Sequence, residues 1–232
     1  MADGHHLFSY LNFVMLFNCP LCLHEKSEFY HQDKQRDYYQ CTVCLLVFVP
    51  PVHHPSSTRE FREYELHENN TDDPGYRRFL SKAATPLLQH LVSPSQGLDF
   101  GCGPSPVLAQ MLEDKGHSVA VYDPFFFPDN KALTSAYDFI TCTEAIEHFH
   151  SPHRELALLD KLLKPGGWLC IMTKRVLDKA RFTNWHYKND LTHVSFFSDE
   201  TFRYIGEKYN YTVHLVASDV VLMHKQSYNT RS

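Results

Sequence analysis

An α/β fold is what this sequence predicts, with a mostly parallel sheet flanked by helices and a small cysteine-rich module ahead of it. Three observations carry that expectation. Residues 97–101 are a short apolar strand that runs through Gly101-Cys102-Gly103-Pro104-Ser105-Pro106 into helical spacing at Leu108, Met111 and Leu112. Further apolar strands at 118–122, 138–143 and 168–173 are separated by helical or turn-rich stretches, as in a sheet built from βαβ units. Two C-x-x-C pairs, Cys19/Cys22 and Cys41/Cys44, precede all of this.

The 232 residues, with a net charge of −5 and 43% hydrophobic content, suffice for one sizeable domain and an appendage. Plentiful aromatics and the absence of low-complexity runs exclude a disordered chain. The apolar run Leu7 to Phe17 is too short to cross a bilayer and lacks the basic lead and cleavage site of a signal peptide, so it reads as a buried helix. Cys102, Cys142 and Cys170 fall in or beside core strands as small buried hydrophobes. Without a secretory signal, a reducing cytoplasmic compartment is expected, with no membrane association.

Eighteen residues separate the two cysteine pairs, the spacing of paired zinc knuckles. Each knuckle aims two thiolates at one point, and four soft sulfurs in a tetrahedron suit Zn2+. Cys19, Cys22, Cys41 and Cys44 are therefore read as a closed, structural zinc site in a ribbon whose short strands lie near 28–30, 37–40 and 45–49. Two redox pairs or two unrelated pairs are the alternatives. A ribbon invites a nucleic-acid partner, but residues 1–90 carry eight basic against eleven acidic side chains. Phosphate binding needs a basic face. Nucleic acid is disfavoured; a partner protein on the ribbon stays open.

Gly101 and Gly103 allow a sharp turn and close approach of a ligand, and the first turn of the following helix offers free N–H groups to the same gap. A dinucleotide fingerprint would have a third glycine where Pro106 stands. Asp99 sits directly before the loop, unwelcome to a pyrophosphate and welcome to a cationic amino-acid-bearing nucleoside. Asp123 ends the next strand at the distance of a ribose contact. With these residues, "LDFGCGPSP" resembles the first motif of class I S-adenosylmethionine-dependent methyltransferases; "YDFITCTEAIEHF" (137–149) and "LLKPGGWLCIMT" (162–173) resemble the family's fourth strand and the turn into its fifth.

The resemblance implies a Rossmann-like domain over 93–232 that binds S-adenosylmethionine, after a ribbon at 1–50 and a helical linker or cap at 51–92. It implies cofactor contacts from Asp99, Phe100, Gly101, Cys102, Gly103, Asp123, Pro124, Phe125, Thr143 and Glu144. Helices ahead of the first motif often cover the cofactor in this family, which puts forward Tyr64, His67, Asn70, Tyr76 and Arg77, with Arg77 chosen to pair with the cofactor's carboxylate. Pro50-Pro51 stiffens the connector, Ser57 or Thr58 caps a first helix through Phe61, Tyr64, Glu65 and Glu68, and Asp73-Pro74 starts a second that Pro86 is expected to kink or split.

One stretch departs from the family. Only about fourteen residues lie between Asp123 and the next strand, too few for a full crossover helix and third strand. That strand is expected to be vestigial near 131–133 or missing, with Phe125 or Phe126 walling the adenine in place of its usual acidic partner. The Glu147-His148 pair opens the next helix, and His148 reads as a packed, hydrogen-bonded residue or a catalytic base. Helix 198–208 and strands 211–217 and 219–225 close the domain.

Specificity is expected in 174–197, where Trp185, His186, Tyr187, Asp190 and His193 follow the fifth strand. His193 is the candidate base, oriented by Asp190, with His186 beside them; the trio His186, Asp190 and His193 as metal ligands is the alternative. The function expected is methyl transfer to a small molecule or metabolite. An RNA or protein methyltransferase that docks its substrate on the ribbon, and a non-catalytic cofactor-binding protein, are the rival readings.

Overall fold

The computed structural model describes residues 17–65 and 73–227. The apolar run up to residue 16, together with His67, Glu68 and Asn70, lies outside the described residues. At the front of the chain, β1 (Ser27–Gln32) pairs antiparallel with β2 (Asp37–Cys41), and β3 (Val47–Phe48) joins on the other side of β2. Leu23 and Leu45, each one residue past a cysteine pair, hold left-handed backbone at φ 63° and 58°. The two knuckles therefore turn the chain in the same way.

Two helices lead to the main sheet. α1 (Ser57–Glu65) is short, and α2 (Pro74–Leu88) begins with the Asp73 carboxylate accepting the Gly75 N–H and Pro74 in its first turn. The expected break at Pro86 does not occur; α2 runs through it to Leu88. Pro86 lies in the last turn, and Leu80, Ala83, Ala84 and Leu87 pack that helix into the apolar layer over the sheet.

The main sheet is assembled from β4 (Gln96–Phe100), β5 (Ser118–Tyr122), β6 (Tyr137–Thr143) and β7 (Leu163–Met172). α3 (Val107–Glu113) connects the first two, and α4 (Pro152–Leu162) connects the last two. The Pro165-Gly166-Gly167 turn expected ahead of a strand at 168 sits inside β7 instead. Pairing with β6 jumps there from Leu163 to Trp168, so the turn is a bulge in the strand. After β7 come α5 (Lys179–Thr183), β8 (Ser195–Phe196), α6 (Asp199–Tyr209), β9 (Tyr211–Leu215) and β10 (Val220–Lys225). Strand order is β5-β4-β6-β7-β10-β9. β5, β4, β6 and β7 run parallel, and β10 runs against both its neighbours. Residues 124–136 form a turn closed by reciprocal Asp123–Phe127 backbone bonds and a 3-10 turn at 130–133, with no strand. This leaves β5 as the sheet edge.

The ribbon does not end at residue 50. β8, from the segment after β7, pairs with β3 and completes a sheet of order β1-β2-β3-β8. Tyr30, Tyr38, Val47 and Val49 from the ribbon share one apolar cluster with Val176, Phe182, Tyr187, Val194 and Phe196. The boundary expected at 50 is thus a boundary in sequence only. No helix among the described residues is long and apolar enough to cross a membrane.

Candidate active site

The carboxyl ends of β4, β5 and β6 open on one cavity of about 760 Å³. Crossover connections leave loops there rather than strands, and this is where open α/β sheets bind ligands. Gly101 and Gly103 hold φ of +74° and +65° in the loop after β4. A Cβ on Gly101 would lie 2.6 Å from that of Ala145, whereas a Cβ on Gly103 would meet nothing within 4 Å. Gly101 is needed for close packing, and Gly103 presents bare backbone to the open space.

Asp99 and Asp123 flank that loop. Asp99 is buried and accepts a 2.6 Å hydrogen bond from Thr141 Oγ1. Burial pushes its carboxyl up to about 6. Asp123 accepts three backbone N–H bonds, from Gly103 at 3.0 Å, Phe125 at 2.9 Å and Phe126 at 3.1 Å. It therefore fixes the glycine loop and the phenylalanine turn to each other. A carboxylate has about four acceptor positions, so capacity for one further donor remains.

Phe100, Cys102, Pro124, Phe125, Thr143 and Glu144 line the same cavity, as do Asp190 and His193. Of the helical candidates, Tyr64 and Tyr76 line it as well. α1 forms a lid edge: Phe61 stacks on Phe126 at 5.8 Å, and Tyr64 meets Phe125 at 5.5 Å and His148 at 5.2 Å.

Two candidates lie elsewhere. Arg77 points to the outside of α3, where it pairs with Asp114 at 3.0 Å and borders Gln110. A nearby carboxylate claims its guanidinium, so the expected cofactor contact is corrected. His186 is exposed on a 3-10 turn at 186–189 and contacts Lys174 Nζ at 2.9 Å, outside the cavity lining. It does not join Asp190 and His193, which removes the expected trio.

His193 is oriented differently from the expectation. Its Nδ1 donates to the Tyr187 carbonyl at 2.7 Å, while Asp190 Oδ2 stands 3.6 Å from Nε2. The backbone sets the ring, and the carboxylate faces its other nitrogen. Asp190 Oδ1 is held by the Thr192 N–H at 2.8 Å and hydroxyl at 2.6 Å.

Sequence reasoning missed Arg36. It is buried between the ribbon and the segment 174–197, the lid on the Asp190–His193 side of the cavity; its Nε donates to Tyr38 Oη at 2.9 Å, and its terminal nitrogens donate to the carbonyls of Leu191, Lys188 and Asp190 at 2.7–2.9 Å. No local pattern around "KQRDY" announces a residue whose partners lie about 150 positions on. Also underrated was Glu147, fully buried and hydrogen-bonded by the Tyr187 hydroxyl. Burial, with Glu144 nearby, pushes its carboxyl up to about 8, and burial pushes Glu144 to about 7.

The four knuckle sulfurs lie within 4.8 Å of one another. Cys19 and Cys44 sulfurs are 3.4 Å apart and those of Cys22 and Cys41 3.3 Å. The N–H groups of Leu21 and Val43 reach Cys19 and Cys41 sulfur at 3.4 Å in each knuckle. Four sulfurs around one ion at ~2.3 Å would stand ~3.8 Å apart, so this set fits a tetrahedral ion with little movement.

Comparison with known proteins places this geometry. The methyltransferase-domain family matches residues 73–216, more than half of the chain. Ubiquinone biosynthesis O-methyltransferase of Burkholderia thailandensis is 47% identical over 38 residues, 16% of this chain and 16% of that protein. The match thus spans about a sixth of the length of the curated relatives. The structure of 1,6-didemethyltoxoflavin-N1-methyltransferase from the same species, with 1,6-didemethyltoxoflavin and S-adenosylhomocysteine bound, is similar at a TM-score of 0.50 and 16% identity, covering 86% of this chain and 100% of that one. A SAM-dependent methyltransferase from Archaeoglobus fulgidus gives a TM-score of 0.49 at 15% identity, covering 64% and 94%. The likeness at 0.50 supports the mixed, mostly parallel sheet between helices. With the glycine loop and the paired aspartates lying inside the matched residues, the chain belongs to the methyltransferase-domain family.

Proposed function

We propose that the protein transfers a methyl group from S-adenosylmethionine to a small-molecule acceptor held between the glycine loop and the segment 174–197. The composition of the cavity wall carries this reading. Among the described residues, seven carboxylates (Glu60, Asp99, Asp123, Glu144, Glu147, Glu155 and Asp190) line it against a single arginine, Arg154. Such a wall favours a cation, which draws the raised carboxyls of Asp99, Glu144 and Glu147 toward their ionised forms, over a phosphate chain. Aromatic rings from α1 and the phenylalanine turn give it faces for flat groups.

In this reading Gly101, Cys102 and Gly103 offer backbone to the cofactor, and Asp99 lies toward its charged amino-acid end. Asp123 takes one further donor from the ribose. Phe100, Pro124 and Phe125 wall the base, and Thr143 and Glu144 border the methionine end. S-adenosylmethionine supplies an electrophilic methyl group on a sulfonium. The chain's part is to align the acceptor, worth on the order of 7–11 kcal/mol in well-oriented cases, and to ease loss of its proton. The Asp190–His193 corner is the acceptor side.

The ribbon is read as a structural Zn2+ cage of Cys19, Cys22, Cys41 and Cys44 that holds the lid through β3–β8 pairing and Arg36. With one of its faces against the lid, it is read as buttress rather than docking arm. The working units are then the parallel sheet with α1 and α2, and the ribbon with the lid. Calorimetric titration with S-adenosylhomocysteine should show one binding event per chain, and tritiated methyl groups should appear in a small-molecule fraction from a metabolite panel. No heat on titration would sink the proposal; label in RNA or protein alone would move the acceptor class.

A further inference from the structure

The 3-10 turn after β6 and the lid bring Glu147, His148 and His193 together, with one donor atom from each within 4.8 Å of the other two. Both histidines are held the same way. His148 Nδ1 donates to the Thr192 carbonyl at 3.2 Å, and His193 Nδ1 donates to the Tyr187 carbonyl at 2.7 Å. A carbonyl only accepts, so in each neutral ring the proton is on Nδ1 and the lone pair on Nε2; His193 Nε2 also faces Asp190 Oδ2 at 3.6 Å, so a cation bound there takes the place of a proton shared with that carboxylate. Metal-ligating histidines are fixed by this kind of bond to the other nitrogen.

The glutamate adds an independent observation. Glu147 is fully buried; its Oε1 accepts the Tyr187 hydroxyl, and its buried Oε2 has no hydrogen-bond partner among the described residues. Buried carboxylate oxygens are otherwise almost always satisfied. This oxygen belongs to a residue that lines the cavity between the glycine loop and Asp190, as do both histidines.

We propose that Glu147, His148 and His193 bind one divalent cation in the cavity, separate from the cysteine cage, with an oxygen of the methyl acceptor completing its coordination. Two imidazoles and a carboxylate suit Zn2+, Fe2+ or Mn2+, whereas the four-sulfur cage discriminates against harder ions. Donors about 2.1 Å from one ion stand roughly 3–4.2 Å apart, so the trio needs to close by less than ~2 Å. The cation site stands on this geometry alone; its use for an acceptor rests on the methyl-transfer reading. An oxygen acceptor held there loses its proton to water. Its oxygen then bonds to the methyl carbon as the S–CH3 bond breaks, and that bond's electron pair returns to sulfur. His193 in this arrangement positions the acceptor through the ion.

The test uses full-length protein whose cysteine cage is already filled with zinc. Titration with Mn2+, followed by electron paramagnetic resonance, should give one bound ion per chain, and Zn2+ in excess followed by desalting should leave a second zinc by elemental analysis. His148→Ala and His193→Ala should each weaken Mn2+ binding by more than about tenfold, with S-adenosylhomocysteine affinity unchanged. Glu147→Gln, checked by circular dichroism for folding, should do the same. Uptake of neither ion by the wild-type protein overturns the proposal, as does Mn2+ binding indifferent to both histidine changes. Loss of nucleoside binding with Mn2+ uptake intact would strike the methyl-transfer reading and leave the cation site standing.

Discussion

The parallel sheet and the cysteine ribbon solve opposite problems. In the sheet, buried apolar strands and crossover helices hold the glycine loop from within; β4, which leads into it, is paired on both sides, with β5 and β6. The ribbon is small, with β3 only two residues long; its four knuckle sulfurs converge within 4.8 Å of one another, and β8 from the segment after β7 completes its sheet. One region supplies the floor of the cavity and the other supports its roof. The lesson is that the roof's geometry is set by a module far from it in sequence, so floor and roof should fail separately.

The largest effect expected is from Cys41→Ser. Structural zinc contributes ~10 kcal/mol or more in small cysteine domains, so the ribbon and the aromatic cluster it shares with the lid should unfold. Zinc content and methyl transfer should both collapse, while S-adenosylhomocysteine binding at the glycine loop largely survives. If binding vanishes with the zinc, floor and roof are one cooperative unit and the contrast is wrong.

Arg36→Ala asks the same question without touching the cage. It removes three hydrogen bonds to the Lys188, Asp190 and Leu191 carbonyls, about 3 kcal/mol of stability. We expect kcat to fall with the dissociation constant for S-adenosylhomocysteine unchanged, and partial recovery with Arg36→Lys. An unaltered kcat would mean that the lid holds its shape alone.

A third measurement sharpens the floor. Asp99 is held above the ordinary carboxylate range, at about 6, by burial. In the unliganded protein its ionisation therefore opposes folding as pH rises from ~4 toward 6. A bound cation favours the ionised form, so S-adenosylmethionine affinity should increase as pH rises through about 6, and again through about 7 as Glu144 at the methionine end ionises. Asp99→Asn should remove the lower limb; a limb that stays near 6 in the variant assigns that titration to another group. The smallest effect is Arg77→Ala, which removes an exposed ion pair worth roughly 0.2–1 kcal/mol and should leave nucleoside affinity unchanged.

How much of this was legible depended on the range of the interactions involved. The glycine loop, the strand series and both knuckles are local: a positive φ, an apolar run or a C-x-x-C turn is written within a few residues. Strand and helix limits came within a few residues for that reason, and the missing third strand was readable from the shortness of 124–136. Pro86 misled because its local preference was outweighed by the apolar face of α2 packed in the core. Arg77 misled because nothing near it in sequence announces Asp114.

By itself, then, the sequence determined the class of fold, the glycine loop after β4 and the two cysteine knuckles, since each is encoded by short-range backbone preference and hydrophobic periodicity. Only the tertiary structure decided that β8 belongs to the ribbon's sheet, that Arg36 ties the two regions, that His186 faces outward and that Glu147, His148 and His193 converge. Those facts depend on which distant segments are buried together, and burial is a property of the whole packed chain, written in no one stretch of it.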